Sequence, residues 1–302
     1  MNSIAAVVVT YNRKELLREN IEALLNQSFS QFDIMIIDNA STDGTYEYIS
    51  DLAKNYGKIK YYNTGENLGG AGGFSLGIKK ACEKGYEKVW IMDDDTIPKT
   101  TALEELVKAD RLLNGDFGFL ASTVLWTDNS WNKMNLLRTD SWHAFEKVDL
   151  VERGVIPINR ASFVSLLINA DAVFELGLPI KEFFIWSDDQ EYTDRLSKKY
   201  PCYYVSHSKV VHKTVTNEGS NIAVDSMDRI DRYKLAFRNE YYIARRNNTK
   251  KEYRINVRGY LLTILKNSKD FKFKRIRTLL SGVLAGKRFK PEIDYISQKE
   301  EK

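Results

Sequence analysis

The chain is poor in cysteine and contains no long apolar run, and each shortage excludes a class of protein. Cys82 and Cys202 are the two cysteines among 302 residues, and neither belongs to a CxxC pair. This excludes a disulfide scaffold and favours a reducing compartment. No apolar segment approaches the roughly 20 residues of a membrane-spanning helix. The N-terminus shows neither the basic first region nor the small-residue cleavage site of a secretion signal. We therefore expect a cytoplasmic protein.

The charge of the chain is unevenly distributed along its length. Residues 229–302 carry 21 Lys and Arg against 8 Asp and Glu, whereas the preceding residues carry 24 against 33. A basic segment on an acidic body favours an anionic partner, such as a membrane surface, a phosphorylated lipid or a nucleic acid. A solvated helical face is an equally good interpretation. Because no RNP or helix-turn-helix pattern accompanies the charge, we expect no nucleic-acid partner.

The first hundred residues alternate between strand and helix patterns. Continuous apolar runs rich in β-branched residues are typical of strands buried on both faces, and segments with helical spacing separate them. This rhythm predicts an α/β fold with a mostly parallel, doubly wound sheet. Asn12 is a candidate N-cap of the first helix, and the glycine-rich residues 63–77 predict a loop that leads into the third helix. The four strand segments are IAAVVVT, FDIMIID, KIKYYNTGE and KVWIMDDD.

Polar residues follow each of these four strands. In open α/β sheets the ligand lies beyond the carboxyl ends of the strands, so these side chains are expected to meet along one rim. They are Thr10, Tyr11 and Asn12 after the first strand, Asp38, Asn39 and Ser41 after the second, Asn63, Glu66 and Asn67 after the third, and Asp93, Asp94 and Asp95 after the fourth.

Three consecutive aspartates at a strand end need an explanation, because like charges repel and buried carboxylates are costly. A site for Mg²⁺ or Mn²⁺, a pair of proton-transfer acids and a solvated turn are the three interpretations. A second acidic pair, Asp188 and Asp189, follows an aromatic segment expected to be a strand, and His212 ends the next apolar run. These additions favour the metal site, with His207 as an alternative to His212.

Five motifs in order resemble the family 2 glycosyltransferases of the GT-A fold, from Ile4 to about Lys213. VVVTYNR and IIDNASTDGT are similar to the opening strand and the nucleotide-binding strand and turn of that family. NLGGAGGFSLGI resembles the glycine-rich segment of its galactofuranosyl- and rhamnosyltransferase branches, and MDDDT stands at the position of its DxD motif. WSDDQEY with the later VVHK resembles the base and metal-histidine elements of the polymerising galactofuranosyltransferases.

The resemblance implies a GT-A catalytic domain over residues 1–225 and a helical, basic C-terminal region over residues 226–302. It implies that Asp93, Asp95 and His212 hold Mn²⁺ or Mg²⁺, that Asp189 is the general base with Asp188 as the alternative, and that Trp186 shapes the acceptor pocket. Asp38 is expected to accept a hydrogen bond from the base, and Asp94 to contact the ribose or the sugar. The residues expected to bind the nucleotide-sugar are Thr10, Tyr11, Arg13, Asp38, Asn39, Asn67, Gly69, Gly70 and Asp94.

The reaction that the resemblance implies is an inverting, metal-dependent sugar transfer. The expected donor is UDP-galactofuranose, with dTDP-rhamnose second and UDP-hexopyranoses third. The expected acceptor is a lipid-linked glycan of bacterial O-antigen or capsule synthesis. The C-terminal region is expected to lie on an anionic inner membrane, to pack on the catalytic domain or to form dimer contacts. A sugar-nucleotide-binding protein without turnover and a nucleotidyltransferase are the rival hypotheses.

Overall fold

The computed structural model describes residues 3–135, 137–139 and 146–297, which form a mixed α/β molecule. The strands are β1 (Ile4–Thr10), β2 (Phe32–Asp38), β3 (Ile59–Asn63), β4 (Lys88–Asp93), β5 (Thr96–Pro98), β6 (Phe119–Leu125), β7 (Val155–Pro157), β8 (Leu166–Asn169) and β9 (Tyr203–His212). The helices are α1 (Lys14–Leu25), α2 (Thr45–Asn55), α3 (Gly69–Glu83), α4 (Ala102–Leu112), α5 (Val148–Glu152), α6 (Ala170–Leu176), α7 (Asp188–Ser197), α8 (Met227–Ile230), α9 (Arg232–Arg246), α10 (Lys250–Asn267) and α11 (Lys272–Arg288).

The strands of the described residues form one sheet whose first half is parallel, as the sequence predicts. Eight strands lie in the order β3-β2-β1-β4-β8-β6-β9-β5, and β7 pairs with β9. Strands β1 to β4 pair in parallel, whereas β8 joins β4 and β6 antiparallel and β5 joins β9 antiparallel. Thr10 is paired with Asp38, and Asp38 with Asn63. The polar residues that end the first three strands therefore share one rim.

Strand β1 is buried on both faces because helices cover both sides of the sheet. Ile4, Ala6 and Val8 belong to one apolar cluster, and the alternate residues of the strand belong to the other. This explains why the first strand is a continuous apolar run rather than an alternating one. Because both faces of β1 are covered, polar side chains can reach a ligand only at the carboxyl end of the strand, which lies on the rim.

Most of the glycine-rich segment is helical, so the prediction of a loop there is wrong. Helix α3 begins at Gly69 and contains the later glycines of the segment. A Cβ on Gly73 would lie 2.5 Å from Cγ1 of Val9, and one on Gly77 would lie 2.4 Å from Cγ1 of Val7. The glycines therefore let α3 approach the sheet closely, which offsets their poor helix propensity.

The C-terminal helices pack on the α/β body. Tyr242 and Ile243 of α9 share an apolar cluster with Ala71 of α3 and with Phe183. Gly282 of α11 lies so close to α9 that a Cβ there would be 2.7 Å from the carbonyl oxygen of Lys234. Among the helices of the described residues, none combines the length and the apolar character that crossing a bilayer requires.

Candidate functional site

A cluster of two carboxylates and one imidazole forms where β4, β5 and β9 meet. Strand β4 ends at Asp93, and the short strand β5 that follows Asp95 pairs Thr96 with His212. The backbone N–H of Lys213 also donates to the carbonyl oxygen of Asp95, at 2.9 Å. This pairing brings one ligand atom each from Asp93, Asp95 and His212 within 4.8 Å of one another.

The donor set of this cluster fits a hard divalent cation. Asp95 Oδ1 is buried without an aligned hydrogen bond, and it lies 3.1 Å from Nε2 of His212. Two neighbouring ligands of an octahedral ion, each about 2.1 Å from it, are separated by about 3 Å. Burial, followed by the charges of Asp95 and Asp94, raises the pKa of Asp93 well above its usual range. A bound cation would remove this repulsion between the carboxylates.

His212, and not His207, is the histidine of the cluster. His207 lies on the same strand, but its side chain is exposed and lies beside Gly154. The amide nitrogen of Asn135 lies 3.4 Å from Nδ1 of His212, and Asn135 Oδ1 accepts a hydrogen bond from the Ser162 hydroxyl. Asn135 therefore limits the rotation of the imidazole, in the way that second partners orient metal-binding histidines. No sequence signal identified Asn135 or Ser162.

Arg13, Thr10 and Asp94 meet directly beside the cluster. Arg13 Nη1 lies 2.8 Å from Asp95 Oδ2 and 3.4 Å from Asp94 Oδ1. The Thr10 hydroxyl donates to Asp94 Oδ2 at 2.8 Å. Burial raises the pKa of Asp94 to about 6, although Arg13 opposes the rise. The Arg13 side chain is 52% exposed, so this cation is accessible to an anionic ligand at the rim.

Asp38, which was predicted to bind the nucleotide base, is enclosed by neighbouring groups. Asp38 has no exposed surface, and its carboxylate accepts from the Tyr61 hydroxyl at 2.6 Å and the Ser41 N–H at 2.9 Å. A base would reach Asp38 only if these covering groups moved. Tyr11, by contrast, is 43% exposed. Asn12 is not the N-cap of α1, because it has φ 53° and its Oδ1 accepts from the Thr42 N–H instead.

Asn39, Asn67 and Gly69 form one small network at the start of α3. The Asn39 amide donates to the carbonyl oxygen of Gly69 at 3.1 Å, and Asn67 Oδ1 accepts from the Gly69 N–H at 2.9 Å. Oδ1 of Asn39 is buried without a partner among the described residues. Gly70, the next residue, has open space where a side chain would stand. The predicted nucleotide-sugar residues of this segment are therefore adjacent.

The aromatic segment before the acidic pair is a strained turn, so the prediction of a strand there is wrong. After a 3₁₀ turn at Lys181–Phe183, the residues Phe184, Trp186 and Ser187 have φ of 63°, 65° and 67°. Left-handed φ is costly for residues with side chains, and such strain is found at functional sites where the surroundings hold it in place. The turn directs the start of α7, which begins at Asp188.

Two neighbours hold this turn in place. Asn239 of α9 is fully buried, and its amide nitrogen lies 3.1, 3.2 and 2.9 Å from the carbonyl oxygens of Phe183, Ile185 and Trp186. Gly69 of α3 also packs against the turn, because a Cβ there would lie 2.1 Å from the carbonyl oxygen of Phe184. The role of Asn239 in stabilising the turn was not predicted from the sequence, because a single asparagine in a basic helix forms no recognisable pattern.

The two acidic residues that begin α7 face different surroundings. Burial, and then the charge of Asp189, raises the pKa of Asp188 to about 7, and Asp188 in turn raises the pKa of Asp93. Burial raises the pKa of Asp189 to about 6. Asp189 lines a cavity of about 360 Å³ together with Arg160 and Ser162. Asp188 therefore lies on the side of the carboxylate cluster. Asp189 lines a cavity whose wall includes Ser162, the side chain that donates to Asn135 beside His212.

Trp186 is directed towards the C-terminal helices. Its ring meets that of Tyr233 edge to face, with the centroids 4.9 Å apart. It also packs beside the apolar cluster that contains Phe237 and Leu279. Its predicted role at an acceptor pocket stays a prediction.

Comparison with known proteins gives a consistent result. The model of glycosyl transferase family 2 matches residues 5–163. The galactofuranosyltransferase GlfT1 of Mycolicibacterium smegmatis is 28% identical over 205 residues, which cover 64% of this chain and 65% of that protein. GlfT1 of Mycobacterium tuberculosis is 34% identical over 200 residues, which cover 64% of both chains. The matched region thus spans just under two thirds of these relatives.

A solved structure shares the fold at low sequence identity. The crystal structure of GalNAc-T7 with UDP, GalNAc and Mn²⁺ superposes with a TM-score of 0.60 and 15% identity. The superposition covers 77% of this chain and 48% of that one.

Proposed function

Because the chain belongs to glycosyl transferase family 2, we propose that it transfers galactofuranose from UDP-galactofuranose to a glycan acceptor, with inversion at the anomeric carbon. The observation that carries this proposal is the Asp93–Asp95–His212 cluster, with the acidic start of α7 beside it. The similarity to two galactofuranosyltransferases supports the choice of sugar. dTDP-rhamnose is the alternative donor.

Asp93, Asp95 and His212 would hold Mn²⁺ or Mg²⁺, which supplies positive charge against the diphosphate of a nucleotide-sugar. Arg13 lies beside the same carboxylates with half of its side chain exposed, so it can add a second positive charge at the diphosphate. Thr10 fixes Asp94 by its 2.8 Å hydrogen bond. Asp94 is then positioned to accept hydrogen bonds from the hydroxyls of the donor.

Asp189 is the proposed general base. It lines a cavity with Ser162, which is linked through Asn135 to His212 of the cluster. Burial raises its pKa to about 6, a value that still leaves it mostly ionised near neutral pH. It takes the proton of the acceptor hydroxyl while the hydroxyl oxygen bonds to the anomeric carbon. The bond from that carbon to the diphosphate breaks in the same displacement, which releases UDP and inverts the configuration. Asp188, nearer to Asp93, is the alternative base.

A screen of donors tests this function. The purified protein with Mn²⁺ is offered UDP-galactofuranose, UDP-galactopyranose, UDP-glucose and dTDP-rhamnose, with a bacterial membrane extract as acceptor. Nucleoside diphosphate release from the furanose donor alone, lost with a chelator and in Asp189→Asn, is the expected result. Release from dTDP-rhamnose would overturn the donor and keep the mechanism. Pyrophosphate release would indicate a nucleotidyltransferase. If no donor gave metal-dependent release of a nucleoside diphosphate, the proposed enzymatic activity would be contradicted.

The C-terminal helices are proposed to hold the protein on the cytoplasmic face of an anionic membrane, where a lipid-linked acceptor lies. Phe273, Leu280 and Leu284 follow one side of α11 and are 80%, 46% and 60% exposed. Arg277 lies among them, and Leu262 of α10 is 67% exposed. Exposed apolar residues among basic ones are typical of helices that lie in the lipid interface.

Vesicle flotation tests this attachment. We expect the protein to float with vesicles that contain anionic phosphatidylglycerol and to stay behind with pure phosphatidylcholine. Phe273→Ser with Leu284→Ser removes the attachment, whereas Val215→Ser retains it, because Val215 is 98% exposed but lies outside the helices. Equal flotation of both variants would contradict the attachment. A second copy bound through the same face would appear instead as a dimer that the double variant dissolves.

A further inference from the structure

A cavity of about 910 Å³ separates the α/β body from helices α9 and α10. One wall carries Asn159, Gln190 and Tyr203, and the other carries Glu240, Tyr253 and Tyr260. The volume lies at the upper end of the range of roughly 300–1,000 Å³ found for ligand sites. The cavity is therefore large enough for more than one sugar ring.

This cavity adjoins the smaller one that contains Asp189. Arg138, Arg160 and Gln190 line both. The larger cavity runs along α7 from Gln190 to Lys198, so the end of it at Gln190 adjoins the cavity of the proposed base. A ligand could therefore extend from the large cavity to Asp189, and neither cavity is lined by Asp93, Asp95 or His212.

Glu240 is the polar group in the cavity that most clearly awaits a ligand. Among the residues that the structure describes, no cation and no hydrogen-bond donor contacts its carboxylate, and burial alone raises its pKa to about 7. Glu240 is partly buried, and a carboxylate held away from water without a partner is costly. Glu240 lines the cavity together with Tyr253 and Tyr260. Its charge raises the pKa of Tyr260, and the Tyr253 hydroxyl donates to the carbonyl oxygen of Phe237 at 2.9 Å.

Among the described residues that line the cavity, four basic side chains are balanced by four acidic ones, which favours a neutral ligand over an anion. Arg160 donates to Asp194 at 2.8 Å, and Lys198 donates to Asn247 at 2.6 Å, so these cations have partners within the protein. A carboxylate with several tyrosine rings suits hydroxyl groups and the C–H faces of sugar rings. A polyhydroxylated, uncharged ligand satisfies Glu240, and an anion would be repelled by it once ionised.

We infer that the cavity between α7, β9 and helices α9 and α10 binds the sugar residues of the acceptor glycan, with Glu240 accepting hydrogen bonds from their hydroxyls. The reacting hydroxyl then projects past Gln190 towards Asp189. This inference rests on the proposed function, because it assigns the acceptor of that same reaction. It also gives the C-terminal helices a part in the site.

Saturation-transfer NMR with a panel of octyl glycosides tests the inference. The panel contains the β-galactofuranoside, β-galactopyranoside, α-rhamnoside and N-acetyl-β-glucosaminide, and the protein is the full chain with Mn²⁺ and UDP. We expect at least one glycoside to bind, and Glu240→Leu to weaken that binding about tenfold or more. Glu240→Gln, which keeps a hydrogen-bonding group, is expected to lose less, and Glu83→Leu, at an exposed site on α3, to lose nothing.

The affinity for UDP with Mn²⁺, measured by calorimetry, separates this inference from the proposed function. It is expected to be the same in Glu240→Leu and in the unchanged protein, which also shows that the variant is folded. Glycoside binding that is equal in Glu240→Leu and the unchanged protein would overturn the inference, as would absence of binding by every glycoside. Failure of UDP-galactofuranose as donor, with Glu240-dependent glycoside binding intact, would overturn the donor alone.

Discussion

The side-chain amide of Asn239 lies 2.9 Å from the carbonyl oxygen of Trp186 and ties helix α9 to the strained turn that precedes the acidic pair. The turn contains three non-glycine residues with left-handed φ. Such a conformation persists only when the surroundings stabilise it. The C-terminal helices therefore take part in positioning Asp188 and Asp189, in addition to covering the body.

Asn239→Ala is expected to lower kcat at least tenfold while leaving the affinity for UDP unchanged. The substitution leaves the carbonyl groups of the turn without their buried donor, which costs about 1–3 kcal/mol of folding free energy. It also lets the start of α7 move away from the acceptor. Steady-state kinetics and calorimetry with UDP measure the two effects. Asn267→Ala, at an exposed position of α10, is the matched control. An unchanged kcat would contradict the positioning role.

Gly69→Ala is expected to lower the free energy of unfolding by about 2 kcal/mol or more. Gly69 has φ +70°, and its Cβ would lie 2.1 Å from the Phe184 carbonyl oxygen. Both the left-handed backbone and the clash oppose a side chain. Gly70→Ala meets open space and is expected to keep the thermal midpoint of the unchanged protein. Equal midpoints for both variants, measured by scanning calorimetry, would contradict the close contact between α3 and the turn.

The strand-end aspartates and the parallel half of the sheet could be predicted from the sequence, because β-branched runs and strand-end polar residues depend on local order along the chain. His212 was also predicted, and the pairing of β5 with β9 explains how a residue so distant in sequence reaches Asp95. The prediction of a loop at the glycines was wrong. Gly73 and Gly77 allow α3 to pack closely on the sheet, a contact that only the tertiary structure reveals.

The turn before α7 could not be predicted, because its conformation is imposed by groups remote in sequence. Aromatic residues favour strands locally, yet Asn239 and Gly69 hold Phe184 and Trp186 in left-handed backbone. Glu240 carried no signal for the same reason: the burial of its carboxyl arises from packing between α9 and α10.

The rate of sugar transfer is expected to rise with pH as the acidic pair of α7 loses a proton. Burial raises the pKa of Asp189 to about 6 and that of Asp188 to about 7, and the observed values belong to the pair. The base works only when ionised, so kcat/KM rises between about pH 5.5 and 7.5. Asp189→Asn is expected to lower kcat about 10²–10⁴-fold. A larger loss in Asp188→Asn than in Asp189→Asn would assign the base to Asp188.

Glu240→Gln is expected to stabilise the ligand-free protein at pH 8 and to have little effect at pH 4. Burial raises the pKa of Glu240 to about 7 in the folded state, above its unfolded value of about 4.3. The folded protein therefore binds more protons over this range and loses stability as the pH rises through it. Glutamine does not titrate, so its advantage grows as the pH rises above about 4.3 and is complete above about pH 7. A rise of the thermal midpoint by roughly 2–4 °C per kcal/mol is the scale expected.

Thermal scans of the two proteins at pH 4 and pH 8 measure this difference. The same pair of scans on Glu83→Gln, an exposed carboxyl of α3, is the control. A midpoint difference that is independent of pH would contradict the unpaired state of the Glu240 carboxylate.

The most direct test of the central claim is a titration of the protein with Mn²⁺ in the presence of UDP, followed by electron paramagnetic resonance. The account predicts one bound ion per chain, a loss of affinity of at least tenfold in Asp95→Asn and in His212→Gln, and no loss in His207→Gln, whose imidazole is exposed on the same strand. Binding that is equal in Asp95→Asn and the unchanged protein, or that depends on His207, would contradict the assignment of the cluster as the metal site.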